Sequence, residues 1–253
     1  MNSSNRVAII IAGFAGLALG GGAVALAAAK GVFGRSDRTA MENVVRDFIL
    51  ANPEIISEAM KRLQVRDLER QADRQRAQIR ALGERIRTPF EGAWAGAING
   101  DVTLVVFTDY SCGFCRSSMA DIDRLLAADG KLKVVWRELP ILGPQSREAA
   151  RVALAAAAEG KYRDIHRRMF AAGPPDKSRI EAIAAAAGIA RATEKATGAA
   201  IDTEISANLT MAQQLGISGT PTFVVGDRLL QGAVGYEALQ KVIAEERKGE
   251  NVI

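Results

Sequence analysis

The spacing of apolar and polar positions changes character several times along the chain. Val7 to Ala29 carries no charged residue, with Arg6 before it and Lys30 and Arg35 after. That run exceeds the roughly 7–15-residue core of a signal peptide and reaches the length of a membrane helix, although Gly13, Gly16 and Gly20-Gly21-Gly22 dilute it. Ala25 and Ala27, or Ala27 and Ala29, offer small residues for cleavage. Residues 1–30 are therefore expected to be a signal peptide or a signal anchor. Positive charge on both flanks leaves the positive-inside rule undecided.

A helical, highly charged stretch follows over residues 38–87. Met41, Val44, Val45, Phe48 and Ile49 recur at helical spacing, and Asn52-Pro53-Glu54 supplies a cap, a first-turn proline and an acid suited to the helix dipole, so a second helix starts there. Its apolar positions are Ile56, Met60 and Leu63, then Val65, Leu68, Ala72, Ile79, Leu82 and Ile86, with Gln75 filling one slot. So narrow a stripe predicts a seam between chains, and hence a homo-oligomer held by a helical stalk.

From Asn99 the pattern becomes that of alternating strands and helices. Val102 to Thr108 is a continuous apolar and β-branched run, as in a strand covered on both faces. A helix is predicted from about Cys112 to Ala128, then a strand from Lys131 to Leu139, and such a β-α-β unit implies parallel pairing. A long helical region, about Ser146 to Leu215, is punctuated by Gly160, Gly173-Pro174-Pro175 and Gly188. Thr222–Val225, Gly226-Asp227 and Arg228–Leu230 read as a hairpin, and Tyr236–Arg247 as a closing amphipathic helix.

Composition adds little to this except by exclusion. The 253 residues are 48% hydrophobic and 25% charged, with a formal net charge of +4. Much of the basic excess lies between Arg62 and Arg87 and alternates with Asp and Glu, the look of a solvated helix face, so no nucleic-acid partner is expected.

The chemistry is concentrated in the two cysteines, Cys112-Gly113-Phe114-Cys115. Cys112 falls at the start of a helix, where unpaired N–H groups and the macrodipole favour a thiolate, and Cys115 lies one turn on, within reach to resolve a mixed disulfide. A four-ligand zinc site lacks its other ligands, because His166 is the only histidine, and covalent haem attachment needs a histidine where Arg116 stands. The remaining alternatives are an inert disulfide and a soft Cu(I) ion held by the two sulfurs. His166, within the helix Tyr162–Phe170, reads as a packing or surface residue.

These residues resemble the thioredoxin-fold thiol:disulfide oxidoreductases of the DsbA type from about Gly100 to Ile243. The marks are Asp109-Tyr110-Ser111-Cys112-Gly113-Phe114-Cys115, Glu138-Leu139-Pro140-Ile141-Leu142-Gly143-Pro144, Gly160-Lys161-Tyr162 and Gly219-Thr220-Pro221-Thr222. The segment Val45 to Glu54 with its long charged helix is similar to the N-terminal extension of the ScsC-like branch, whose members are exported, can oligomerise through it and are linked to disulfide shuffling and copper tolerance. The fold class implied is α/β: a thioredoxin-like domain over residues 88–253 with a helical insertion at about 141–215, preceded by the stalk and the export segment. The resemblance implies a cis bond before Pro221, substrate contacts from Thr220 and Pro221 beside Gly113 and Phe114, and catalysis by Cys112 and Cys115 as a redox-active disulfide without further cofactor. Expected partners are client proteins and a redox partner that resets the dithiol. The expected location is extracytoplasmic, in the periplasm as the resemblance to that branch implies, either soluble after cleavage or tethered to the inner membrane by the N-terminal helix.

Gly113-Phe114 lacks the histidine of strongly oxidising DsbA proteins and is similar to the Gly-Tyr pair of isomerases, as is Thr220 before Pro221, so isomerase or reductase chemistry is favoured over oxidase. Val106 stands where many thioredoxin-fold proteins place a buried acid. Glu138 is a substitute or a surface carboxylate, and Asp109 reads as a solvent-facing loop acid.

Overall fold

A computed structural model describes residues 36–189 and 191–249, so the signal peptide or signal anchor expected over residues 1–30 lies outside the described residues. The chain divides into two compact units between Leu68 and Glu69. In the first, helix α1 (Ser36–Ala51) stops where Asn52 turns its amide back on the Phe48 carbonyl at 2.9 Å, and α2 (Glu54–Leu82) restarts immediately after Pro53. Met41, Val44, Val45, Phe48, Ile56 and Met60 are all more than half exposed on these helices. Among the described residues, no helix is long and apolar enough to cross a membrane.

The second unit is built on a five-stranded sheet in the order β1-β3-β2-β4-β5. Its strands are β1 (Trp94–Gly96), β2 (Val102–Thr108), β3 (Leu132–Glu138), β4 (Thr222–Val225) and β5 (Arg228–Gln231). β2 and β3 run parallel, with Val106 opposite Trp136, and are joined by α4 (Gly113–Ala128); the other pairings are antiparallel. The period of two in β2 sends its side chains to two different cores. Leu104 and Val106 join Val134, Trp136, Phe223, Ile122 and both cysteines on one face. Val105 and Phe107 join Leu139, Met211, Leu215 and Val224 on the other.

That second face corrects the expected seam. Ile79, Leu82 and Ile86 are at most 7% exposed and pack with Val105 and Phe107 of their own chain, so this end of the stripe closes the sheet rather than an interface. A three- and four-residue repeat identifies a buried face but not its partner. The short helix α3 (Glu84–Arg87) is then fixed by buried Arg137 of β3, which donates to the carbonyls of Arg85, Ile86 and Thr88 and pairs with Glu204 at 2.7 Å. A cation placed on the orphan carbonyls at a helix end satisfies them and opposes the dipole.

The helical insertion is four helices: α5 (Pro144–Ala158), α6 (Tyr162–Ala171), α7 (Lys177–Ala186) and α8 (Arg191–Gln214). α5 is buried along its alanine-rich face, and these small side chains permit close backbone approach. Gly92 donates to the Ala157 carbonyl at 3.2 Å, and a Cβ on it would lie 2.7 Å from that oxygen. β1, which follows at once, has only three residues and no alternation to reveal it in sequence. Helix α9 (Tyr236–Lys248) closes the fold, tied down by Arg247 to Asp101 and Asp129.

Truncating Ile86 to alanine removes a fully buried side chain from the second core and should cost about 2–5 kcal/mol in chemical denaturation. Because the packing is intramolecular, the loss should be the same at all protein concentrations; a concentration-dependent loss would return Ile86 to an interface.

Candidate active site

The continuous apolar run of β2 ends at Thr108, and within four residues the chain must leave the sheet and enter α4. Cys112 makes that junction as the residue that caps α4, with extended backbone, and its sulfur accepts the Cys115 N–H at 3.4 Å. The same sulfur donates to the Thr220 carbonyl at 3.1 Å, and the Thr220–Pro221 peptide bond is cis. Cys112, Cys115, Thr220 and Pro221 are thus brought together, and both cysteines are buried, Cys112 the more exposed residue at 7% against 3%. Burial pushes the Cys115 thiol up to about 12, against partial relief from hydrogen bonding by Thr220, the Asp109 backbone and Thr108. Gly113 and Phe114 face solvent, and a Cβ on Gly113 would meet nothing within 4 Å.

The loop before Cys112 is organised by Asp109, which is 1% exposed and not the solvent-facing acid that its loop position suggested. Its Oδ1 accepts the Ser111 N–H at 2.8 Å and the Ser146 hydroxyl at 2.6 Å. Its Oδ2 accepts the N–H groups of Ile141 and Leu142 at 2.8 and 2.9 Å. A buried carboxylate is tolerable only when its lone pairs are filled in this way. The Asp-x-Ser spacing, which favours a side-chain-to-backbone turn, was the available signal.

Glu138 is likewise fully buried, not a surface carboxylate. Its Oε1 meets the Tyr110 hydroxyl at 2.8 Å and the Tyr162 hydroxyl at 2.6 Å, while Tyr110 also meets His166 Nδ1 at 2.7 Å. Trp136, Tyr162 and Phe170 enclose the imidazole at ring-centre separations of 5.0 to 5.1 Å. Desolvation raises Glu138 to about 8, helped by the nearby Asp109 and opposed by the two tyrosine hydroxyls, and lowers His166 to about 3. At neutral pH both are uncharged, so the 3.9 Å approach of His166 to Glu138 is a contact between neutral groups. His166 Nε2 has no partner among the described residues, which assigns the proton to Nδ1 and leaves Tyr110 free to donate to Glu138. No acid stands at Val106, which is buried in the apolar core.

A dithiol capping the helix after the central strand, facing a cis-proline loop, defines a protein of the thioredoxin-fold dithiol class. The DSBA-like thioredoxin domain model matches residues 103–244, more than half of the chain, and the chain belongs to that family. The N-terminal domain model of the copper resistance protein ScsC matches residues 37–70. Among solved structures, the thiol-disulfide exchange protein alpha-DsbA2 of Wolbachia pipientis is 30% identical with a TM-score of 0.64, over 69% of this chain and 97% of that one. Proteus mirabilis ScsC in a transitional conformation is 25% identical with a TM-score of 0.61, over 85% of this chain and 98% of that one. The Na(+)/H(+) antiporter NhaA 3 of Salinispora tropica is 29% identical over 154 residues, 58% of this chain and 24% of its own; the chain spans about a quarter of that relative's length.

The two buried groups make a defined pH prediction. Between pH 4.5 and 6.5 the folded chain holds one proton on Glu138 and the unfolded chain holds one on His166, so the pair contributes no slope. Above 6.5 the folded state alone is protonated, and stability falls as pH rises to about 8; below 4.5 the unfolded state binds the extra proton, and stability falls as pH drops to about 3. Denaturation midpoints across pH should show this plateau with two shoulders. Glu138→Gln should remove the alkaline shoulder, and an unchanged alkaline loss would show that it has another origin.

Proposed function

We propose that this chain is an exported thiol:disulfide oxidoreductase that exchanges or isomerises disulfides in extracytoplasmic client proteins. The observation that carries the reading is the asymmetry of the dithiol: Cys112 caps a helix and lies 3.1 Å from the Thr220 carbonyl, while burial holds Cys115 as a thiol. The Cys112 thiolate attacks a client disulfide, forming a mixed disulfide and releasing one client thiolate. If that thiolate attacks a second client disulfide, the thiolate expelled there attacks the client sulfur of the mixed disulfide, so that Cys112 leaves reduced and the client is isomerised. If Cys115 instead loses its proton and attacks Cys112 Sγ, the second client thiolate leaves, the client is reduced and Cys112–Cys115 becomes the disulfide. A redox partner must then return two electrons to the pair. No metal or organic cofactor takes part in these steps.

Isomerase or reductase use is favoured over oxidase use by Gly113-Phe114, which places no histidine between the cysteines, and by the exposed apolar row on α1 and α2, which suits self-association. Two or more dithiols on one oligomer would cradle a misfolded client. The uncharged run Val7–Ala29 supports export, as a cleaved signal or a retained anchor. A second reading has the same support at the sulfurs: Cys112 and Cys115 can hold Cu(I), in keeping with the match of residues 37–70 to the N-terminal domain of a copper resistance protein.

Cys112→Ser should abolish insulin reduction and refolding of a scrambled client, and Cys115→Ser should accumulate a mixed disulfide visible by mass spectrometry. Copper binding by the reduced protein without either activity would defeat the enzyme reading, and a dithiol potential near that of strong oxidants would overturn the isomerase preference.

For the oligomer, Val45→Glu with Phe48→Glu should lower the solution mass to that of a monomer. An unchanged mass removes these helices as the interface.

A further inference from the structure

The peptide unit between Phe114 and Cys115 lies at the start of α4, and both of its ends are engaged. Its N–H, that of Cys115, donates to Cys112 Sγ at 3.4 Å. Its carbonyl, that of Phe114, accepts the Ser117 hydroxyl at 2.9 Å and the Ser118 hydroxyl at 2.9 Å. By the i to i−4 rule of the helix the same oxygen also takes the Ser118 N–H. Two neighbouring side chains thus aim their protons at one carbonyl, and that carbonyl belongs to the peptide whose N–H meets the attacking sulfur.

Serine is a poorer helix former than alanine, and a hydroxyl bonded back to its own helix slightly weakens that helix. Ser117 is exposed, so packing does not account for it. The gain lies across the peptide. A peptide is a planar, conjugated unit, so protons held at its oxygen draw electron density from its nitrogen and make the N–H a stronger donor. Such strengthening counts most when the acceptor is ionised. As a thiol, Cys112 donates to the Thr220 carbonyl at 3.1 Å; as a thiolate it has no proton to give there, and it depends on the bond it accepts from Cys115. We propose that Ser117 and Ser118 are positioning residues for the thiol chemistry: their hydroxyls polarise the Phe114–Cys115 peptide so that its N–H favours the Cys112 thiolate, both in attack on a client disulfide and in departure from the mixed disulfide. This rests on the thiol-exchange reading above and adds to it two residues that act through the backbone.

The test has two readouts. With Cys115→Ala as background, the ultraviolet absorbance of the thiolate follows Cys112 alone across pH. Ser117→Ala and Ser118→Ala should each make that thiolate form at higher pH, by about twofold in the ionisation constant, and the two together by about fourfold, since each hydroxyl strengthens a charge-assisted bond by roughly 10–30%. In the two-cysteine protein, at a pH where the thiolate is formed, the equilibrium with glutathione should move by the same factor toward the Cys112–Cys115 disulfide. Ser117→Thr keeps the hydroxyl and should behave as the unmodified protein. Ser206→Ala removes a hydroxyl that bonds back in the same way, to the Asp202 carbonyl of α8 at 2.7 Å, and should change neither readout. Alanine at the exposed position 117 favours the helix, so failure to fold does not imitate the effect.

Unchanged thiolate formation in the double alanine variant would overturn the proposal. So would an equal shift from Ser117→Thr or from Ser206→Ala, because either would show that the hydroxyls on the Phe114 carbonyl are not its cause. A protein that does not exchange with glutathione at all defeats the thiol-exchange reading, whereas the absorbance titration needs no client and decides the role of the two serines by itself.

Discussion

Strand β2 is covered on both faces, so its alternate residues must be met by two separate sets of apolar side chains, and the loop at its end inherits a fixed position. Leu104 and Val106 are met by the helices that surround the dithiol, Val105 and Phe107 by Ile79 and Leu82 from the end of the long helix and Ile86 from the short helix after it. The chain leaves this strand at Thr108 and reaches Cys112 four residues later. Over so short a span the sulfur cannot wander, and the cis-proline loop that faces it is anchored by β4, the antiparallel neighbour of β2. Placement of the reacting atom is thus a property of the sheet rather than of the loop.

The same two-sided burial decided what could be seen in the sequence. β2, β3, the hairpin and the helix behind the cysteines were legible because their periods are long enough to count and their ends carry Gly, Pro or Asn. The cysteine pair and Thr220-Pro221 were legible as a spacing and a motif. The destination of Ile79, Leu82 and Ile86 was not, since a helical repeat looks the same whether it meets a sheet or another chain. Nor were the two acids placed by the sequence. Val106 left the usual buried acid missing, while Asp109, read as a loop acid, and Glu138, left open between a substitute for that acid and a surface carboxylate, are both almost without exposure. Their burial depends on donors distant in sequence, Ile141, Leu142 and Ser146 for one, Tyr110 and Tyr162 for the other, and no local pattern announces such partners.

Those acids occupy different environments and do different work. Asp109 accepts hydrogen bonds from four donors and organises backbone. Glu138 takes a proton, because two tyrosine hydroxyls do not offset its desolvation. Tyr110 connects the two regions: it follows Asp109 directly, and its hydroxyl closes the Glu138 and His166 network. The polar groups beneath the dithiol are therefore held without placing a net charge from the Glu138 and His166 pair near the sulfurs at neutral pH.

Two glycines show where this architecture is closed to change and where it is open. At Gly92 a single added carbon would collide with a backbone carbonyl, so that position is barred to every larger residue unless α5 moves. At Gly113, between the cysteines, an added carbon would enter empty space, and the residue has no left-handed backbone to protect. The fold therefore exerts no steric veto over the residue that stands beside the reactive sulfur. A side chain can be introduced at this one exposed position beside the reactive sulfur without renegotiating the core.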